Sequence, residues 1–130
     1  MNYKFFDTCS LIEKVEHINE AEEYTMVISS VTLQELEHIK TAHNKDIDVK
    51  VAARKLTHWL DENMDTYKLV IYETSFADYL TARDIEITND TKILACAYDF
   101  FKIQNPEATP CFVTNDLCLK HLARIFFKPE

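Results

Sequence analysis

At 130 residues, with 47% apolar and 12% aromatic content, the chain is expected to fold as one globular domain spanning 1–130. No apolar run approaches the roughly 20 residues of a membrane span, and the Phe5-Phe6 pair lacks signal-peptide features, so a cytoplasmic protein with no membrane partner is expected. The net charge of −8 opposes loose binding to polyanions and confines any nucleic-acid contact to a local basic patch and bound cations.

Glycine is absent altogether, which excludes GxGxxG and Walker phosphate loops. Strand-to-helix turns must then be built from Asn, Asp, Ser and Thr. Cys9, Cys96, Cys111 and Cys118 lie 87, 15 and 7 positions apart and form no CxxC pair. Three of them sit in apolar runs and read as small buried hydrophobes, not as disulfide partners. The five histidines (17, 38, 43, 58 and 121) never show HxxxH or HxxEH spacing, which argues against zinc.

Tyr3 to Phe6 reads as a short strand, followed by a turn and an amphipathic helix from Thr8 to about Glu20, striped by Leu11, Ile12, Val15 and Ile18. Met26 to Ser30 is a buried strand. Thr32 then resembles an N-cap, with Glu35 completing a capping box, and that helix gives out near His43-Asn44-Lys45. Asp46 to Asn63 has the clearest helical period, with Val49, Ala52, Ala53, Leu56, Trp59 and Leu60 on one face and Trp59 placed in the core or at a domain interface. Lys68 to Tyr72 is a third strand, and Asp78 to Arg83 a helical turn. Asp90 to Lys102 is apolar nearly all round and therefore a buried helix. Cys111 to Thr114 is a fourth strand, Asp116 to Ala123 a last helix, and Ile125-Phe126-Phe127 a fifth, edge strand. The alternation implies an α/β fold with a mainly parallel sheet of four or five strands between helices.

Four acids, Asp7, Glu35, Asp90 and Asp116, each stand where an apolar run gives way to a polar, helix-opening segment. In an α/β fold such positions converge in the crevice beyond the carboxyl ends of the strands. Carboxylates gathered there repel unless protons or divalent cations neutralise them, and an oxygen-only acidic site suits Mg²⁺ or Mn²⁺. Simple helix capping accounts equally for Glu35, Asp90 or Asp116 taken singly. Asp7 has no long helix to cap, so capping gives no reason for it to join the group.

The strings FFDTCSLI, ISSVTLQELEHIK, ITNDTKILACAYDF and FVTNDLCLKHLAR resemble, in order and context, the four motifs of PIN domains. They look closest to the PIN domains at the N-terminus of PhoH-like ATPases, over residues 3 to about 124. The resemblance implies a three-layer α/β/α fold whose acids bind Mg²⁺ or Mn²⁺ and hydrolyse single-stranded RNA, or sometimes DNA. Residue by residue, it makes Asp7, Glu35, Asp90 and Asp116 the catalytic, metal-binding acids. It makes Thr8 and Thr114 the hydroxyls that orient carboxylates or bound water. Cys9 departs from the Asn or Ser usual at that place. The chain also stops soon after the fourth motif, which suggests the N-terminal domain of a longer protein with a C-terminal ATPase domain.

The implied activity is a metal-dependent endoribonuclease, with Lys40, Lys50, Arg54 and Lys55 as candidates for holding the RNA backbone. A solvated helix face explains the last three residues as well. Two other readings stay open: a binding module that keeps the fold without turnover, and a toxin-type nuclease paired with an antitoxin. A homo-oligomer is compatible with either. A dehalogenase-type phosphatase would need an acid where Cys9 stands, and is set aside.

Overall fold

The computed structural model describes residues 2–20, 22–43 and 46–127. Four strands, β1 (Tyr3–Phe6), β2 (Thr25–Ser29), β3 (Tyr67–Val70) and β4 (Phe112–Val113), form one all-parallel sheet in the order β3-β2-β1-β4. The helices are α1 (Thr8–Glu13), α2 (Ser30–Thr41), α3 (Ile47–Glu62), α4 (Ala77–Thr81), α5 (Asn89–Tyr98) and α6 (Leu117–Phe127).

Alternation along the strands sends successive side chains to opposite faces and so makes two cores. Phe6, Met26 and Ile28 pack with Leu11, Leu36, Leu56 and Leu60 from α1, α2 and α3. Phe5, Val27 and Val70 pack on the other face with Ile93, Leu94, Phe101, Leu119 and Phe126. Each fully buried Leu or Phe contributes roughly 1.5–3 kcal/mol, so the three layers are held by apolar burial on both sides.

Turns without glycine are made as the composition requires. Asp7, Ser29, Asp46 and Thr88 cap α1, α2, α3 and α5 through their side chains. Asp84 takes the one left-handed backbone conformation among the described residues, at φ 56°.

Several expectations need correction. The helix expected to reach Glu20 ends at Glu13, where the Lys14 N–H turns to Leu11 O three residues back; a 3₁₀ turn over Val15–His17 follows. The cap of α2 is Ser29, whose Oγ accepts the Thr32 N–H at 3.1 Å, so Thr32 lies inside the helix. That helix ends at Thr41; of its expected terminus, Asn44 and Lys45 lie outside the described residues. Trp59 is half-buried, tilted against Tyr67, and donates from Nε1 to Asn19 Oδ1 at 2.6 Å.

Ile125, Phe126 and Phe127 belong to α6 and do not form a fifth strand. Leu119, Ala123 and Phe126 recur at helical spacing and bury one stripe, which overrides the β preference of the Ile-Phe-Phe run. α5 continues into a π-type segment, Asp99–Gln104. Of the cysteines only Cys96 is buried; Cys111 is half-buried and Cys9 and Cys118 are exposed. Among the described residues no helix is long and apolar enough to cross a membrane.

Candidate active site

The chain runs outward from β1 through β2 to β3, then returns to the other side of β1 as β4. The switch point thus falls between β1 and β4, where open α/β sheets bind ligands beyond the strand ends. Asp7 follows β1 there and is only 5% exposed. Its Oδ1 accepts the Ser10 N–H at 2.9 Å, which makes it the cap of the short helix α1. Its Oδ2 accepts the hydroxyl of Thr114, which follows β4 and is 3% exposed. The Asp116 N–H donates back to Thr114 Oγ1 at 3.1 Å, and Asp116 Oδ1 accepts the Leu119 N–H at 3.0 Å at the start of α6. One threonine hydroxyl therefore ties the exits of two neighbouring strands.

Glu35 lies on α2, which leaves the end of β2. It completes no capping box: its Oε1 accepts the Thr8 hydroxyl at 2.5 Å. Thr8 Oγ1 also lies 3.1 Å from Thr32 Oγ1. Thr8 thus orients Glu35 from α1, beside Asp7.

Asp90 is the second residue of α5, and Thr88 caps that helix in a box with Thr91. Capping therefore does not account for Asp90. No strand delivers it either, since residues 85–88 form a loop. Although the residue as a whole is exposed, its carboxyl is pushed above the ordinary aspartate range. Partial desolvation is the leading cause, followed by the negative charges of Asp116 and Asp7. The Cys9 thiol is pushed up in the same way, first by desolvation and then by Asp7, Glu35, Asp90 and Glu13. Between them, Asp90 and Cys9 sense every one of the four acids. No ion pair with Lys, Arg or His neutralises any of the four among the described residues.

Sequence reasoning missed Glu13 and Asn115. Asn115 Nδ2 donates to Glu13 Oε2 at 2.5 Å, joining the end of α1 to the loop that carries Asp116. The available signal was spacing: Glu13 stands four residues after Cys9, on the same face of α1.

Lys40, Lys50, Arg54 and Lys55 are not brought to the acids by any hydrogen bond or ion pair among the described residues. Lys40 pairs with Glu37 at 3.0 Å, and Lys55 faces Glu16 at 3.9 Å. Lys50, Arg54 and Lys55 lie on α3, which packs against α2 and α1.

The donors at this rim are carboxylate and hydroxyl oxygens, which suit a hard cation such as Mg²⁺. Among the described residues, no three His, Cys, Asp or Glu side chains are placed to hold one ion together directly. Both Asp7 oxygens and one oxygen each of Asp116 and Glu35 accept hydrogen bonds, and the second oxygens of Asp116 and Glu35 have no donor among the described residues. Mg²⁺ keeps several of its waters and is commonly held through one or two carboxylates, so three ligating side chains are not a requirement for it.

A family model described as PIN domain matches residues 5–126. The chain belongs to the PIN domain family. PIN domains are generally nucleases that use divalent metals such as Mg²⁺, so the chain is a domain of nuclease type. The fold resembles a chain of the crystal structure of VapBC2 from Rickettsia felis bound to a DNA fragment from their promoter. The TM-score is 0.55 at 19% identity, with 92% of each chain covered. No curated protein shows significant sequence similarity to this PIN domain.

Proposed function

We propose that this PIN domain is a Mg²⁺- or Mn²⁺-dependent endonuclease for single-stranded RNA, with Asp7, Glu35, Asp90 and Asp116 grouped around the cation. The observation that carries the reading is the Asp7–Thr114–Asp116 linkage at the switch point, beside an Asp90 whose carboxyl responds to both acids. Unneutralised carboxylates drawn together by separate elements have a ready physical reason if a cation joins them.

The chain's own part is largely positional. The Ser10 N–H and the Thr114 hydroxyl fix the Asp7 carboxylate in place. The Thr8 hydroxyl holds one Glu35 oxygen and leaves the other for the cation or its waters. Asp116 keeps its second oxygen likewise, and Asp90 stands at the rim where substrate arrives. A divalent cation bound there would lower the pKa of a water and offset charge on the leaving oxygen. Cleavage of a single-stranded RNA in Mn²⁺ by wild type and Asp7→Asn tests the assignment. The variant is expected to lose more than the roughly 10- to 100-fold that removing a supporting residue costs. Equal cleavage by the two proteins refutes it.

The likeness to VapBC2 favours a second reading of the same chemistry: a toxin-type nuclease held by an antitoxin chain. Co-purification of the domain with the product of an adjacent gene distinguishes a bound nuclease from a free one.

A further inference from the structure

Tyr72 follows β3 on the same rim of the sheet as the acids. Its backbone N–H donates to Ser30 Oγ at 2.9 Å, at the first residue of the helix that carries Glu35. Two strand spacings separate β3 from β1, roughly 10 Å at about 4.8 Å per strand. The Tyr72 ring is half-buried and stands edge-on to Phe76, with centroids 5.9 Å apart at 85°. Over it lies Lys92 Nζ, 5.4 Å from the ring centroid. Lys92 is two residues beyond Asp90 on α5, so this cation is delivered by the element that delivers one of the acids. Lys92 takes part in no ion pair among the described residues, whereas Lys40 and Lys55 face Glu37 and Glu16.

We infer that Tyr72 and Lys92 form a nucleotide-binding step beside the acids, where Tyr72 stacks a base of a single strand and Lys92 holds an adjoining phosphate. This rests on the nuclease reading and supplies the positive contact that a chain of net charge −8 needs. Aromatic faces accept any base, and a cation beside them tracks the backbone. Phe76 braces the ring, so little ordering is needed on binding. The lysine has a flexible four-carbon stem, and its ammonium exchanges the ring face for the phosphate when a base stacks.

The test is binding of a short labelled single-stranded RNA in Ca²⁺ over a series of salt concentrations, with cleavage followed in parallel in Mn²⁺. Tyr72→Leu keeps bulk against Phe76 but removes the π face. It should weaken binding roughly five- to hundredfold while leaving the salt slope unchanged. Tyr72→Trp should bind as wild type does. Lys92→Gln should reduce the salt slope by about 0.7, the value of one phosphate contact on a single strand. Wild-type affinity in Tyr72→Leu, or an unchanged slope in Lys92→Gln, overturns the step and leaves the nuclease reading standing. Absence of both binding and cleavage in wild type overturns that reading, and the step with it.

Discussion

Thr114 donates its hydroxyl to the Asp7 carboxylate, 107 residues away in sequence, and accepts the backbone N–H of Asp116, so one buried side chain ties two strand exits together. Thr114→Val keeps the shape and removes both bonds. The variant should be destabilised by about 1–3 kcal/mol, because a buried carboxylate oxygen and an N–H lose their partner. It should also cleave RNA more slowly than Thr114→Ser, which keeps the hydroxyl. Urea unfolding and a cleavage assay read the two effects. Equal stability of the Val and Ser variants contradicts the linkage.

Asp90 makes stability depend on pH with a definite sign. Its folded pKa is raised, so its contribution is full below the unfolded value near 3.8 and is lost as pH rises through the raised folded value. At neutral pH the ionised carboxylate therefore opposes folding. Asp90→Asn should raise the Tm at neutral pH, and the gain should vanish in acid. Saturating Mg²⁺ should raise the wild-type Tm and raise that of Asp90→Asn less. A Tm difference independent of pH would remove Asp116 and Asp7 as the source.

The opposite end of the pH scale tests the second core. Tyr79 donates its hydroxyl to buried Asp99 Oδ1 at 2.7 Å, and its pKa is pushed up to about 12 by desolvation and then by that bond and charge. Its contribution is full below pH 10 and is lost as pH climbs through about 12. Tyr79→Phe should be less stable than wild type by about 1–3 kcal/mol at neutral pH. That gap should narrow in strong alkali. Denaturant midpoints across pH give the answer, and a constant gap would contradict the role given to the hydroxyl.

Thr8→Val frees Glu35 without touching its charge. Cation affinity, measured calorimetrically, should fall by roughly 10- to 100-fold if Thr8 holds the carboxylate for its task. The fold should change little, because Ser29 still caps α2. Unchanged Mn²⁺ affinity would make the bond merely structural.

Much of this protein was legible because short apolar runs gave way to polar, helix-opening segments. That pattern marked β1, β2 and β4 and placed Asp7 and Asp116 at their exits, and the Asp46-to-Asn63 periodicity gave α3 almost to the residue. What failed were choices that tertiary contacts make. Ser29 and Thr32 are both good caps, and only the extent of β2 selects Ser29. Ile125 to Phe127 has strand-like composition, yet Phe126 joins Leu119 and Ala123 on a buried helical stripe. Asp90 is expected to open a helix and does so, but no strand delivers it: a loop and a Thr88 cap do. Glu13, Asn115, Tyr72 and Lys92 escaped notice because each acts through a neighbour remote in sequence.

The central claim is that Asp7, Glu35, Asp90 and Asp116 meet at the carboxyl rim of the sheet to share a divalent cation. A crystal grown with Mn²⁺ and measured at the manganese absorption edge tests it directly. The account expects an anomalous peak at the β1–β4 switch point, contacted by these carboxylates or their bound waters. Saturating Mn²⁺ with no peak at that rim, or a peak only on another face, would contradict it.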